Sequence, residues 1–406
     1  MKSVVILGDG MADYPVPALG GKTPLMVARK PAMDRIAKNG RTGLFRTIGD
    51  GMSTGSAVAN LAVLGYDPKT DFRGRGVLEA ASLGIPVKDD DLVFRVNLIQ
   101  VADGKIASHS SGHISNEEAG LLIRDLRDPI GESGIRLYQG LGYRHIGVLA
   151  GGDDRVLCTE PHDHIGERAA DRMVKPLHPD ADRTAERLNR MIRESQTLLE
   201  DHPVNRNRRE TGKLPANSLW PWSPGRRPRL ASFESKFGVK AAVIAAVDLI
   251  KGIAVVTGMD VIPVEGATGL SDTNFEGKAD ACLRALADRD FVYVHVEAAD
   301  EAGHDRDLAL KIRCIEDLDR RCIRRLLGGL GTMLKETVVA VLPDHPTPVT
   351  LGSHVRDPVP VAVWDPRATP DAVDRYDEKS VQSGSLGLME GTAFMETVLS
   401  RRLHVT

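Results

Sequence analysis

FVYVHVEAADEAGH, residues 291–304, begins with a six-residue apolar run and closes on an acid and a histidine four positions apart, Asp300 and His304. A run of this length reads as a strand buried on both faces, and such strands belong to parallel sheets covered by helices. Two other runs have the same form: VVIL at 4–7 stops before Asp9, and VVAVL at 338–342 stops before Asp344. Asp344 is followed at once by His345 and, ten residues on, by His354. In open parallel sheets the ligand site lies beyond the carboxyl ends of the strands. Carboxylates and imidazoles gathered there point to a metal.

The bulk of the chain narrows the class. Its 406 residues are long for one simple core, so two domains are expected. The 53 basic and 56 acidic residues leave a net charge of -3, which argues against nucleic acid as the main partner. MKSVVILGDGMADYP reads as a first strand and not a signal peptide, because its short apolar stretch runs straight into acid and glycine. No run approaches the roughly 18 apolar residues that cross a bilayer. Cys158, Cys282, Cys314 and Cys322 lack CxxC spacing and do not make a disulfide framework, so the expected setting is reducing and cytoplasmic. The pattern leaves the oligomeric state open.

Strand and helix alternate at both ends of the chain. Helices are expected at 33–39 and 56–64, then at 241–250, 278–287 and 307–327, with strands at 253–256 and 360–364 beside the three acid-ended runs. Alternation of this kind implies a doubly wound α/β domain. Between the halves the texture changes, and NRNRRETGKLPANSLWPWSPGRRPRL near its end is rich in Pro, Gly, Asn and Arg. For the acids at 9, 300 and 344 to share one site they must share one sheet. The expected organisation is therefore a discontinuous metal-binding catalytic domain, 1–84 and 234–406, with a second, smaller α/β domain inserted at 85–233.

Asp300 and His304 fall on one helical face, where they offer two ligands to one ion; the plainer reading is an N-capping Asp with an exposed His. Asp344 and His345 diverge at a strand end and suit one ion or two. Asp9 lies in GDGM, where flanking glycines let a metal or phosphate approach the backbone. Together with His354, these residues supply ligands for two divalent ions, a recurrent device for in-line phosphoryl displacement. Covalent phosphoryl transfer needs a nucleophile as well. Ser56, between a glycine and an apolar helix, is by propensity an N-cap, but a helix N-terminus also favours an attached phosphate.

GDGMAD at 8–13, GSAVANLAVLGYDP at 55–68, GRGVLEAASLGI at 74–85, GATG at 266–269, DEAGHDRD at 300–307, PDHPTP at 343–348 and GSHVRDPVP at 352–360 carry a family resemblance. In this order and spacing they resemble the archaeal-type, cofactor-independent phosphoglycerate mutases of the alkaline phosphatase superfamily. The resemblance implies an alkaline-phosphatase-like outer domain in which Ser56 is the phosphorylated nucleophile. It implies one ion held by Asp9, Ser56, Asp344 and His345, and a second held by Asp300, His304 and His354. Manganese is the ion it implies first, with zinc, magnesium and cobalt as alternatives. The implied substrate is a small phosphorylated molecule, 3-phosphoglycerate, whose phosphate passes to serine and returns to the other hydroxyl of the reoriented glycerate. The inserted domain would grip that substrate and close over the site.

The insert departs from the archaeal pattern. SHSSGHIS at 108–115 stands where those mutases carry an arginine-rich stretch, so His109 and His113 replace guanidinium groups. Arginine is the better carboxylate clamp, because its planar fork binds bidentately. HSSGHI, GYRHIGVL, PHDHIG and ANSLWPWSPG resemble instead a bacterial sub-branch proposed to be homoserine kinases. The expected substrate-binding set is His109, His113, Arg144, Asp163 and Arg226, with His113 also expected to protonate a leaving oxygen. Arg73, Arg75, Lys251 and Lys278 are further basic groups suited to phosphate. The expected activity is phosphoglycerate mutation; the alternatives are a homoserine kinase-like phosphotransferase and a metal-dependent phosphohydrolase.

Overall fold

The computed structural model describes residues 1–71, 74–228 and 230–400. Arg73 lies outside the described residues. The chain separates into two compact units, Met1–Phe72 with Arg229–Thr406, and Arg73–Pro228.

The first unit is built on an eight-stranded sheet, in the order Asp260–Val261, Ala241–Ile244, Phe291–Val296, Lys2–Gly8, Thr337–Leu342, Val359–Trp364, Arg41–Phe45 and Gly387–Met389. The three acid-ended runs lie side by side in its centre and are mutually parallel. Leu7 stands opposite His295 on one side and Leu342 on the other, so all three chains leave the sheet at the same edge. Val359–Trp364 runs antiparallel to both of its neighbours. Alternate residues of the central strands feed opposite faces. Val4, Ile6, Val292, Val294, Val339 and Val341 pack with Met33, Ile36, Cys282 and Leu326 from helices on one side. On the other side the Ser3 hydroxyl donates to the Val398 carbonyl and Phe45 stacks on Phe394. Burial on both faces, worth roughly 1.5–3 kcal/mol per large aliphatic side chain, is what the continuous apolar runs supply.

One stretch folds differently from the expectation. Residues 241–250 are not one helix: Ala241–Ile244 is a strand paired in parallel with Phe291–Val296, and the helix follows at Asp248–Val256. The strand expected at 253–256 is therefore the end of that helix. AAVIAAVDLIKGIAVV is apolar at nearly every position, and a run without periodicity does not separate a buried strand from a buried helix. The long helix expected at 307–327 is present but interrupted. Leu308–Asp317 passes into a π-helical turn at Leu318–Ile323 before Arg324–Leu330. From that turn Asp319 accepts the Ala32 and Met33 amides and so caps the helix Pro31–Lys38.

The second unit is an antiparallel sheet in which Leu92–Ala102 pairs with Lys105–Ser108, Arg144–Leu149 and Ser218–Arg226, and Ile135–Tyr138 extends it. Helices Asn116–Gly131 and Asp182–Glu200 contribute Leu122, Ile123, Leu188 and Ile192 to its core. The helix Arg75–Ser82 belongs here and not to the first segment as expected. A side chain at Gly76 would meet the Phe94 and Arg95 backbone at 3.1 Å, and glycine lets helix and strand touch there. Among the described residues no helix is long and apolar enough to cross a membrane.

Candidate metal centre

The carboxyl edge of the first unit's sheet collects seven of the residues singled out in the sequence. Asp9 follows its strand directly, and its amide donates to the Val296 carbonyl of the neighbouring strand at 2.9 Å. Asp300 and His304 share the short helix Ala298–His304, with His304 Nε2 3.2 Å from Asp300 Oδ2. The i, i+4 spacing thus places both on one face, and Glu297, not Asp300, stands at the N-cap. His354 Nε2 lies 3.5 Å from Asp300 Oδ1 and 2.9 Å from His304 Nε2. His345 Nε2 lies 3.6 Å from Asp9 Oδ1 and 3.4 Å from Asp344 Oδ2. Ser56 starts the helix Ser56–Val63, and its Oγ lies 3.2 Å from His345 Nε2.

Backbone geometry brings the loops this close. Gly10 has φ +61°, and a Cβ there would lie 2.4 Å from Asp300 Oδ1 and 2.7 Å from its Cα. Gly303 sits against the Thr347 carbonyl, which an added Cβ would approach to 2.5 Å. Both glycines come from the motifs quoted above, and at both a side chain would push the ligand-bearing segments apart.

Among the described residues two groups of three donor atoms form, the atoms of each lying within 4.8 Å of one another: Asp300, His304 and His354, and Asp9, Asp300 and His345. Asp300 belongs to both. Asp344 adjoins the second group, with Oδ1 accepting the Gly10 and His345 amides and Oδ2 accepting the Asn60 side chain at 2.8 Å. These residues fit a divalent cation. Burial, then the fields of Asp344 and Asp300, pushes the Asp9 carboxyl well above the usual carboxylate range, and its Oδ1 is buried without a hydrogen-bond partner. Burial also works against the Asp300 charge, but hydrogen bonds from His304 and His354 outweigh it and hold that carboxyl well below the usual range. The Asp300 hydrogen bond in turn raises His304 to about 9. Burial lowers His345, keeping its imidazole neutral and free to ligate. Carboxylates and imidazoles together, buried at Asp9, Asp300, Asp344 and His345 and exposed at His304, are a donor set that manganese, zinc and cobalt share.

Several neighbours of the cluster escaped the sequence reading. His295 donates to or accepts from Asp9 Oδ2 at 3.0 Å, and burial lowers it to about 3. Lys278, expected at phosphate, is buried and donates to the His295 carbonyl. Asn60 bridges the Tyr293 hydroxyl and Asp344. Thr347 donates to Asp300 Oδ1 and lies 3.2 Å from His345 Nδ1. One signal was available: Tyr293 and His295 alternate along an otherwise apolar strand, a period-two pattern of polar tips on one face.

The expected substrate residues all lie in the second unit, and only some meet. His109 packs edge-on against Tyr143 and His162, at ring separations of 5.6 and 6.2 Å. His113, with φ +55°, packs against the same Tyr143, and Arg144 lies over that ring. Asp163 is exposed beside His162, at 3.7 Å. Arg226 is not part of this group. It stands opposite Leu92, five residues along the strand from Asn97, whose side chain donates to the His109 carbonyl. That offset is roughly 17 Å at strand rise. There Arg226 donates to the Gly152 carbonyl at 2.6 Å and faces Asp154. Proximity in the PGRRPR motif said nothing about which end of the strand it would occupy. Arg75 pairs with Glu79 and Lys251 with Asp248.

The comparisons with known proteins agree with one another. A 2,3-bisphosphoglycerate-independent phosphoglycerate mutase of Methanosarcina acetivorans is 46% identical over 395 residues, covering 97% of this chain and 98% of its own. The chain belongs to the 2,3-bisphosphoglycerate-independent phosphoglycerate mutase family. The family's model matches residues 37–205. A probable mutase of this kind from Geobacter sulfurreducens is 45% identical over 406 residues, with 99% and 100% of the two chains covered. Among solved structures, a Pyrococcus horikoshii protein superposes with a TM-score of 0.83 at 32% identity, covering 100% of this chain and 99% of that one. The cofactor-independent phosphoglycerate mutase of Thermoplasma acidophilum gives 0.71 at 29% identity, covering 99% and 100%. Membership in this mutase family agrees with the resemblance read from the motifs.

Proposed function

We propose that the chain interconverts 3-phosphoglycerate and 2-phosphoglycerate through a phosphoserine at Ser56, beside two divalent ions, manganese first among them. The observation that carries this reading is the 3.2 Å approach of the Ser56 hydroxyl to the buried His345, beside the buried acids Asp9, Asp300 and Asp344. Asp300, His304 and His354 would hold one ion, and Asp9, Ser56, Asp344 and His345 the other, with Asp300 near enough to serve both. Such ions neutralise the transferring phosphoryl group and acidify a serine hydroxyl.

In the forward half-reaction the Ser56 hydroxyl gives up its proton and a P–Oγ bond forms as the bond from phosphorus to the C3 oxygen breaks, and that oxygen takes up a proton. In the return half the 2-hydroxyl gives up its proton and attacks phosphorus as the P–Oγ bond breaks, and Ser56 Oγ takes a proton up again. The free N–H groups at the start of the helix Ser56–Val63 favour the phosphate in between. His109, His113 and Arg144 are our candidates for holding the glycerate, and His113 for exchanging its proton. Four buried, unpaired cysteines suit a reducing cytoplasm.

The test is purified enzyme with manganese, given 3-phosphoglycerate in one tube and homoserine with ATP in another, with products resolved by phosphorus NMR. The mutase reading expects 2-phosphoglycerate in the first and no phosphohomoserine in the second. The reverse outcome would establish the kinase, and release of inorganic phosphate the hydrolase.

A further inference from the structure

We propose that Lys311 is a positioning residue for the metal centre, a buried ammonium that fixes the ligand-bearing loops through Thr347. The inference rests on the metal-centre reading above. Lys311 lies on the helix Leu308–Asp317 and is fully buried. Its Nζ makes three hydrogen bonds, one for each proton: to the Ala12 carbonyl at 3.2 Å, the Asp13 carboxylate at 2.8 Å and the Thr347 carbonyl at 2.8 Å.

Those acceptors belong to different loops. Ala12 and Asp13 follow the strand that ends at Asp9, whereas Thr347 follows Asp344 and His345. The two loops also meet directly, since the Thr347 amide donates to the Ala12 carbonyl at 3.2 Å and the Val349 amide to Asp13 at 3.1 Å. Asp13 is held from behind, its amide donating to Glu378, which also accepts the Thr23 hydroxyl. The far end of Thr347 reaches the ligands: its hydroxyl donates to Asp300 Oδ1 and lies 3.2 Å from His345 Nδ1. One threonine therefore has its carbonyl on the buried ammonium and its hydroxyl on a carboxylate common to both ligand groups. A buried ion pair adds little to stability over an apolar substitute of the same shape, so its effect here is on geometry.

The test is metal binding by the intact protein, with manganese alone titrated by electron paramagnetic resonance and cobalt alone followed by its visible spectrum. The variants are K311M/D13N, which removes both buried charges together, T347V, which removes the hydroxyl at constant shape, and T347S, which restores it. K311M/D13N and T347V are expected to lose about tenfold or more in manganese affinity, as removal of outer-shell partners does, and to shift the cobalt bands; T347S is expected to match the wild type. Wild-type affinity and an unshifted cobalt spectrum in folded K311M/D13N would overturn the proposal. Should that variant not fold, T347V decides alone, and binding equal to that of T347S overturns the proposal. H304A separates the two readings: if it takes up manganese as the wild type does, the metal centre itself is misassigned.

Discussion

Ser56 Oγ lies 3.2 Å from His345 Nε2 at the first residue of its helix, so the hydroxyl faces the acid cluster and not the solvent side of the loop. The N-cap position of this helix belongs to Gly55, and Ser56, expected from its propensity to be the cap, is instead the first helical residue. Ser56→Ala is therefore expected to lower kcat by at least about 10³-fold, as loss of a nucleophile does, while manganese affinity falls far less. Intact-mass analysis after incubation with 3-phosphoglycerate should find a phosphoryl group on the wild type and none on the variant. Retained turnover in the variant would rule out the serine mechanism.

Because Asp300 is common to both donor groups, its loss should affect both ions, whereas loss of His304 should affect one. After dialysis against limiting manganese, Asp300→Asn is expected to retain less metal than His304→Ala, and His304→Ala about half the wild-type complement. Equal retention by the two variants would mean that Asp300 serves one ion alone.

Gly10 allows the loop after the first strand to touch Asp300. Alanine there meets a left-handed backbone and a clash with a main-chain atom, neither of which side-chain motion relieves. Gly10→Ala is expected to destabilise the fold by on the order of 2 kcal/mol or more and to weaken manganese binding. Urea unfolding with and without the metal would measure both, and wild-type values for both would show that the loop can move aside.

The acid-ended strands could be read because burial on both faces leaves a continuous apolar signature, and sheet chemistry then fixes which end carries the ligands. The candidate ligands Asp9, Asp300, Asp344 and His345 could be singled out because they follow those ends within a few positions. His295, Asn60 and Thr347 could not be found that way. Each acts through side-chain contacts with residues distant in sequence, and such pairings exist only once the chain is folded. The misread segment at 241–256 and the separated Arg226 share another cause: composition reports burial and charge, but not where a strand stops or which end of it faces a site.

Asp319 offers a pH test away from the metal. Burial pushes its carboxyl up to about 6, against the hydrogen bonds from the Met33 and Ala32 amides, which act to lower it. Between the unfolded value near 3.9 and about 6 the native state holds more protons, so stability falls as pH rises through that window. Asp319→Asn removes that contribution, so the unfolding free energy of the variant relative to the wild type should rise between about pH 4 and 6. Parallel stability curves would assign the pH response to other groups.

Asn60 sits one helical turn after Ser56, and its amide donates to both the Ser56 carbonyl and Asp344 Oδ2, at 2.9 and 2.8 Å. Its own oxygen accepts the buried Tyr293 hydroxyl from the neighbouring strand. A single side chain thus locks the helix of Ser56, the proposed nucleophile, to the Asp344 carboxylate and to the sheet. Asn60→Leu keeps the branching of the side chain and removes both roles, so Ser56 should lose its fixed distance from His345 while the acids and histidines of the cluster stay in place. The expected result is a fall in kcat of about 10- to 100-fold, the range seen when outer-shell partners are removed, with KM for phosphoglycerate little changed. Asn60→Asp keeps the acceptor for Tyr293 but sets a second carboxylate against Asp344. If charge matters more than position at this contact, the aspartate variant should be the worse of the two, and steady-state kinetics on the pair would tell them apart.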